Sequence, residues 1–170
     1  MKQNQPKPLI LITGASGNIG RALCARLKAN YALVGLDIKP SDAANESYEC
    51  DLTSANSIKL ALHEIKEKYG NHIAAVIHLA AYFDFTGEEH PLYKKVNIEG
   101  TRKLLEALQD FKVDRFVYSS TMLVHEAGVP GQKISEDTPI KPGWAYPQSK
   151  ADAEKIIQKN HGNIPYTILR

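Results

Sequence analysis

Short apolar runs alternate along the chain with stretches of helical period. Leu9-Ile10-Leu11-Ile12 is continuously apolar, as expected of a strand buried on both faces. It runs into Thr13-Gly14, after which Ile19, Leu23 and Leu27 recur at every fourth position and predict the apolar face of a helix. Ala32-Leu33-Val34-Gly35-Leu36 predicts a second buried strand, ending at Asp37. Residues 38–47 are polar and read as a loop, and Tyr48-Glu49-Cys50 predicts a short third strand before Asp51. Thr53 or Ser54 is placed to cap the next helix, whose stripe is Ile58, Ala61, Leu62, Ile65 and Tyr69 and whose end is Gly70. Ile73 to Leu79 predicts strand four, Pro91 opens a helix through Val96, Leu104, Leu105 and Leu108, and Phe116-Val117-Tyr118 predicts strand five. Residues 126–144 are rich in Pro and Gly and read as a long exposed loop, a kind that in compact domains is functional or disordered. A helix from about Ala145 to Asn160 follows, and Tyr166-Thr167-Ile168-Leu169 predicts a sixth strand. Each helix is long enough to cross over between parallel strands. The expected fold is therefore α/β, a doubly wound parallel sheet of about six strands with helices on both faces.

Composition narrows the class. The 170 residues fit one domain, expected over 9–170 behind a polar tail at 1–8. The 21 basic and 19 acidic residues are interspersed, so no basic stripe points to nucleic acid. No apolar run approaches the ~20 residues of a membrane span, and the polar stretch Met1 to Pro8 does not read as a secretory signal. Cys24 and Cys50 are too few and too far apart for a metal cluster. They read as two reduced, buried thiols of a cytoplasmic protein. Glu88-Glu89-His90 lacks a matching ligand set, so no metal site is expected.

Candidate chemistry begins at Thr13-Gly14-Ala15-Ser16-Gly17-Asn18-Ile19-Gly20, between the first strand and the first helix. A helix start offers unpaired N–H groups and partial positive charge, a site suited to a pyrophosphate. Gly14 suits the tight turn, Gly17 lets phosphates approach the backbone, and Gly20 lets the helix pack closely; Ser16, Asn18 and Ile19 border the same place. Asp37, at the end of the second strand with Ile38 beside it, is placed to accept hydrogen bonds from an adenosine ribose. Its charge would repel a 2′-phosphate, so NAD is preferred to NADP, with Lys39 keeping NADP open. No Gly-Lys-Ser/Thr follows the loop, so it is not a P-loop.

Tyr146-Pro147-Gln148-Ser149-Lys150 sets a phenol and an ammonium one helical turn apart on a shared face. A cation nearby favours phenolate and is expected to lower the tyrosine pKa, making Tyr146 a credible general acid/base at an alcohol or ketone. With eight tyrosines in the chain such a pair also arises by chance, and the bland reading is an amphipathic surface pair. Its position, opening a helix after the fifth strand and a long loop, favours the chemical one.

Together these elements resemble the extended short-chain dehydrogenase/reductase superfamily, the NAD-dependent epimerase/dehydratase-like group. The likeness runs from Leu9 to Arg170 and rests on the glycine loop, Asp51-Leu52, His78-Leu79-Ala80-Ala81, Asn97 with Gly100-Thr101, Ser119-Ser120-Thr121, and the Tyr146–Lys150 pair. The resemblance implies a Rossmann-like fold and NAD. It puts Asp51 and Leu52 at the adenine, Leu79, Ala80, Ala81 and Asn97 along the cofactor, and Lys150 on a cofactor ribose as well as beside Tyr146. Thr121 would orient the substrate oxygen, with Ser120 the alternative if the match slips by one. His78 reads as structural and His125 as a loop residue. The aromatic run Tyr82-Phe83-Asp84-Phe85 could line a less polar substrate pocket or simply pack under the following loop, and Trp144 could stack near nicotinamide or substrate or anchor the loop.

Val124-His125-Glu126 stands where many sugar-modifying relatives carry Val-Tyr-Gly, and Met122-Leu123 where the dehydratase branch places acids. The first weakens a nucleotide-sugar substrate, and the second disfavours sugar dehydration. The resemblance further implies a small-molecule substrate and a homodimer through the helices near 92–109 and 146–160. It also implies a smaller C-terminal lobe over the substrate, which these residues do not supply. The expected function is hydride transfer at a secondary alcohol or ketone. The alternatives are a catalytically silent NAD-binding sensor or scaffold, and an isolated cofactor-binding portion of a larger enzyme.

Overall fold

The computed structural model describes residues 6–84, 86–128, 131 and 133–170. Six parallel strands form one sheet: β1 (Leu9–Thr13), β2 (Ala32–Asp37), β3 (Glu46–Glu49), β4 (Ala75–His78), β5 (Phe116–Ser119) and β6 (Tyr166–Leu169). Their spatial order is β3-β2-β1-β4-β5-β6. The chain therefore winds outward from β1 in one direction, returns, and winds outward in the other. The sheet reverses between β1 and β4, which is where open α/β sheets bind ligands.

The alternation of side chains along β1 explains the layering. Leu9 and Leu11 join one core with Val34, Leu36, Val76 and Phe116, and Ile10 and Ile12 join another with Leu33 and Cys24. Helix α1 (Asn18–Leu27) covers the second core. Helices α2 (Ala55–Tyr69) and α4 (Ala145–Asn160) cover the first. So does α3, which joins a π-helical Tyr93–Gly100 to an α-helical Thr101–Leu108. The expected stripe of α2 is buried at Ile58, Ala61, Leu62 and Ile65, and Ser54 rather than Thr53 is its cap, accepting from the Ser57 N–H at 3.2 Å. Both cysteines are buried and free.

Several expectations are corrected. Ile19 is 67% exposed, whereas Leu23 and Leu27 of the expected face pack partly buried beside buried Gly20 and Cys24, because the glycine at position 20 lets the start of the helix lie against the preceding turn. The third strand begins at Glu46, inside the expected loop, in register with Val34 through Asp37. The fourth breaks at Ala74, whose N–H donates to Leu9 O; its first part, His72–Ile73, pairs with Lys112–Val113 outside the main sheet. The 126–144 loop is clamped at its base, where Glu126 N–H donates to Pro139 O, Lys141 N–H donates to Val124 O, and buried His125 holds Thr138 O through Nδ1 at 2.8 Å. Residues 129, 130 and 132 of that loop, Phe85 of the aromatic run, and 1–5 of the tail lie outside the described residues. Among the described residues no helix is long and apolar enough to cross a membrane.

His78, at the end of β4, is fully buried between two hydroxyls. Thr101 donates its hydroxyl proton to Asn97 O at 2.6 Å, so it can only accept from His78 Nε2–H at 2.9 Å. That leaves Nδ1 to accept from Thr13 Oγ1–H at 2.6 Å, and Thr13 Oγ1 in turn accepts the Ala80 N–H at 3.2 Å. The imidazole is a neutral link joining β1, β4 and α3. Burial, with Lys150 nearby, pushes it down to about 3. Between that value and the ordinary 6.5 the unfolded chain binds a proton that the folded chain refuses, so stability falls as pH drops through this window. His78→Gln is expected to cost about 2–4 kcal/mol near neutral pH and to flatten this acid limb, as read by urea unfolding at several pH values.

Candidate functional site

The β1–α1 turn is shaped by glycine at two positions for different reasons. Gly14 has φ +73°, and a Cβ there would lie 2.8 Å from Ala80 N. A Cβ on Gly20 would lie 2.3 Å from Gly14 O and 2.7 Å from Ala15 Cα, so Gly20 is what lets α1 start against the loop. Gly17 caps α1 without any side-chain hydrogen bond to the helix start, leaving the first-turn N–H groups to solvent or a ligand. A Cβ on Gly17 would meet only Gly14 O, at 3.3 Å, and the residue is exposed.

Asp37 closes this loop from the neighbouring strand. Its Oδ2 accepts the Ser16 N–H at 3.0 Å and its Oδ1 the Lys39 N–H at 3.3 Å, while Ser16 Oγ donates to Lys39 O at 2.7 Å. Asp51 caps its own turn, accepting from the N–H and the hydroxyl of Thr53, both at 2.8 Å. These groups surround a cleft of about 720 Å³ at the carboxyl ends of β1, β2 and β4. Of the residues singled out in the sequence, Gly14, Ser16, Gly17, Asp37, Ile38, Asp51, Leu52, Leu79, Ala80 and Ala81 line it. Asn18, Ile19, Gly20, Asn97, Ser120, Thr121, Tyr146 and Lys150 are not among its walls. Cys50, Leu92 and Val96 are walls that sequence reasoning missed, while Tyr82, also a wall, belongs to the aromatic run read there as pocket lining or packing. Tyr82 and Cys50 adjoin quoted motifs, whereas Leu92 and Val96 read only as helix positions.

Asn97 sits in the π-helical part of α3 and ties the cleft to α4. Its Oδ1 accepts the Tyr82 N–H at 2.7 Å, and its Nδ2 donates to Tyr82 O at 3.0 Å and to Ser149 Oγ at 2.8 Å. Ser149 then donates to Tyr146 O at 2.7 Å. Gly100 closes this part of the helix, where a Cβ would lie 2.9 Å from Leu52 Cβ. Such wide turns recur at functional positions.

Tyr146 is half-buried in an aromatic cluster. Its ring meets Phe83 edge-on at 4.6 Å, with Trp144 at 5.6 Å and Tyr93 at 6.3 Å. Buried Lys150 lies on the same helix, its Nζ 4.2 Å from the centre of the Tyr118 ring. Burial pulls Lys150 down to about 8, with Glu154 opposing the fall. The lowering of Tyr146 expected from the Tyr–Lys spacing is not found. Burial pushes its hydroxyl above the ordinary value and the Tyr93 phenol adds to that, because the phenol is half desolvated while the ammonium lies over a different ring.

The two candidate hydroxyls at the end of β5 differ. Ser120 Oγ donates to Glu154, a buried carboxylate that the sequence reading passed over, while Thr121 Oγ1 caps the short turn Met122–Val124 by accepting the Leu123 N–H at 3.2 Å. Ser120 is thus committed to the interior, and Thr121 keeps its proton free to donate.

We expect Gly17→Ala to fold with stability within about 0.5–1 kcal/mol of the parent yet to bind NAD at least tenfold more weakly, since within the chain the new methyl meets only Gly14 O, at 3.3 Å, and otherwise faces the position of a ligand. Gly20→Ala should instead lower the melting temperature by several degrees. Calorimetric titration and thermal unfolding of the two variants test the contrast.

A model of the NAD dependent epimerase/dehydratase family matches residues 10–170. The chain is similar to UDP-glucose 4-epimerase of Bacillus subtilis (strain 168), 31% identical over 170 residues, covering 89% of this chain and 48% of that protein. It is also similar to the decarboxylating sterol-4-alpha-carboxylate 3-dehydrogenase erg26 of Schizosaccharomyces pombe, 29% identical over 178 residues, covering 97% and 49%. Among solved structures, a short-chain dehydrogenase/reductase superfamily protein from Agrobacterium tumefaciens with bound NAD has a TM-score of 0.78 at 29% identity, over 95% of this chain and 48% of that one. The chain spans about half the length of the curated relatives it matches.

Proposed function

Because the chain belongs to the NAD dependent epimerase/dehydratase family, we propose that it binds NAD in the cleft beside Gly17 and supports hydride exchange at a secondary alcohol or ketone. The residues present fit that cofactor. The uncapped start of α1 at Gly17 suits a pyrophosphate, and the cleft volume lies within the ~300–1,000 Å³ of small-molecule sites. Asp37 suits a ribose hydroxyl and disfavours a 2′-phosphate. NAD, when bound, supplies the hydride acceptor or donor. The solved relative from Agrobacterium tumefaciens carries bound NAD, which supports the same choice here.

The observation that carries the chemical reading is the contact between Tyr146 and Phe83. Tyr82, one residue before Phe83, lines the cleft, so the phenol stands against the continuation of the cleft wall. In this reading Tyr146 handles the proton of the reacting oxygen. Its hydroxyl is protonated near neutral pH and so can give that proton to a carbonyl oxygen gaining negative charge, although desolvation makes it hold the proton more tightly than a free phenol. In the reverse direction it takes the proton, and the Lys150 ammonium, one helical turn away over the Tyr118 ring, supplies longer-range support to the phenolate. Thr121 donates its hydroxyl to the same substrate oxygen.

Tyr146→Phe removes only the hydroxyl. It is expected to leave NAD affinity within about twofold and to lower turnover of a ketone or secondary alcohol by two or more orders of magnitude. NAD titration beside a screen of carbonyl compounds with NADH measures both. NAD binding with no turnover of any compound by the parent chain would favour the silent binder instead, and unchanged turnover in Tyr146→Phe would remove Tyr146 from the chemistry.

A further inference from the structure

We propose that Glu154 is a positioning residue of this site, a buried carboxylate anchored by Arg170 that supports the charged form of Lys150 one helical turn away. The inference rests on the reading of Tyr146 and Lys150 just given.

Glu154 lies one helical turn after Lys150 on the same face of α4, and both are almost wholly buried, at 1% and 2% exposure. A carboxylate so placed must be paired. Arg170, at the end of β6, supplies the main partner: its Nε lies 3.1 and 3.2 Å from the two carboxylate oxygens, and its Nη2 donates to Oε2 at 2.8 Å. Ser120, at the end of β5, donates its hydroxyl to Oε1. One carboxylate therefore joins the ends of two adjacent strands to the helix that carries Tyr146 and Lys150. It also occupies the hydroxyl next to Thr121, which leaves Thr121 as the substrate-facing group.

The groups around Lys150 leave Glu154 a particular task. From β5 it meets the Tyr118 ring; from β4, His78, which is neutral; from α4, Tyr146 and Glu154; and Tyr93 of α3 faces Tyr146 from the other side. The Tyr118 and Tyr146 hydroxyls are held above the ordinary phenol value by burial, and Glu154 is the one carboxylate among these neighbours. Among the described residues Lys150 Nζ has no hydrogen-bonded carboxylate, so its charge is supported at a distance. Arg170 draws on the same carboxylate and limits that support. Glu154 and Arg170 should therefore act on Lys150 in opposite directions, which a purely mechanical brace between strand and helix would not do.

The test follows the Lys150 Cε signal by NMR in lysine-labelled protein, without cofactor or substrate, with the signal assigned by its loss in Lys150→Met. The parent should titrate near 8. Glu154→Gln, which keeps the shape and can still accept from Ser120, should shift the midpoint down by about one unit or more. Glu154→Asp should restore part of that shift, and Arg170→Gln should move the midpoint up. A Lys150 midpoint unmoved by Glu154→Gln, or moved the same way by both variants, overturns the proposal. If Glu154→Gln does not fold, the absence of an upward shift in Arg170→Gln overturns it alone. The titration needs no turnover, whereas Tyr146→Phe is read by turnover, so the two readings fail separately.

Discussion

The arrangement depends on one continuous line of hydrogen bonds through the middle of the molecule. It starts at the Ala80 N–H, passes through Thr13, His78 and Thr101 to the Asn97 carbonyl, and resumes from the Asn97 amide through Ser149 to the Tyr146 carbonyl. Each hydroxyl both gives and receives, so the direction of every proton is set by the next partner. The line links the strand that leads into the glycine loop to the helix that carries the phenol and the ammonium. The cleft and the helix that carries Tyr146 and Lys150 are held in one frame because His78 cannot charge without breaking it.

A second constraint is the handling of buried charge beside Tyr146. Lys150, Glu154 and Arg170 descend from the interior to its edge, with the arginine side chain 21% exposed and the glutamate side chain 2%. Burying one of them alone would cost several kcal/mol, and the arrangement is tolerable because each has an opposite charge or an aromatic face within reach. The aromatic cluster of Phe83, Trp144, Tyr93 and Tyr146 lowers the polarity around the phenol further. That explains why a Tyr–Lys spacing read from the sequence predicted a lowered tyrosine while the folded chain raises it. Spacing reports which groups share a face; it does not report how much water each has lost.

Much of the architecture was legible because it rests on local rules. The apolar runs of β1 and β2 and the stripe of α2 follow from periodicity, and the glycine loop follows from its place between a strand and a helix. The expected wall residues Asp37, Asp51 and Ala80 followed from motifs tied to those same elements. What escaped depends on tertiary context. Glu154 reads in the sequence like any solvated acid on a helix, and only the arrival of Arg170 on β6 makes it interior. The wide turn of α3 leaves no trace in a hydrophobic period over so few residues. Ile19 fits the helical stripe perfectly well in spacing, yet the close approach forced by Gly20 turns the packed face toward Cys24 and leaves the isoleucine in solvent.

Asp37 belongs to both halves of the cleft's recognition problem. The carboxylate suited to a ribose is the same one that fastens the Ser16 N–H and so shapes the turn beneath the phosphates. On the proposed reading, preference between the two nicotinamide cofactors is thus coupled to the curvature of the loop that would receive either of them. Evolution, or a designer, cannot exchange the acid for a neutral or basic side chain to admit a 2′-phosphate without also supplying a new acceptor for that amide. A change of cofactor in this chain is a two-site problem, with the second substitution falling in the loop and not at the ribose.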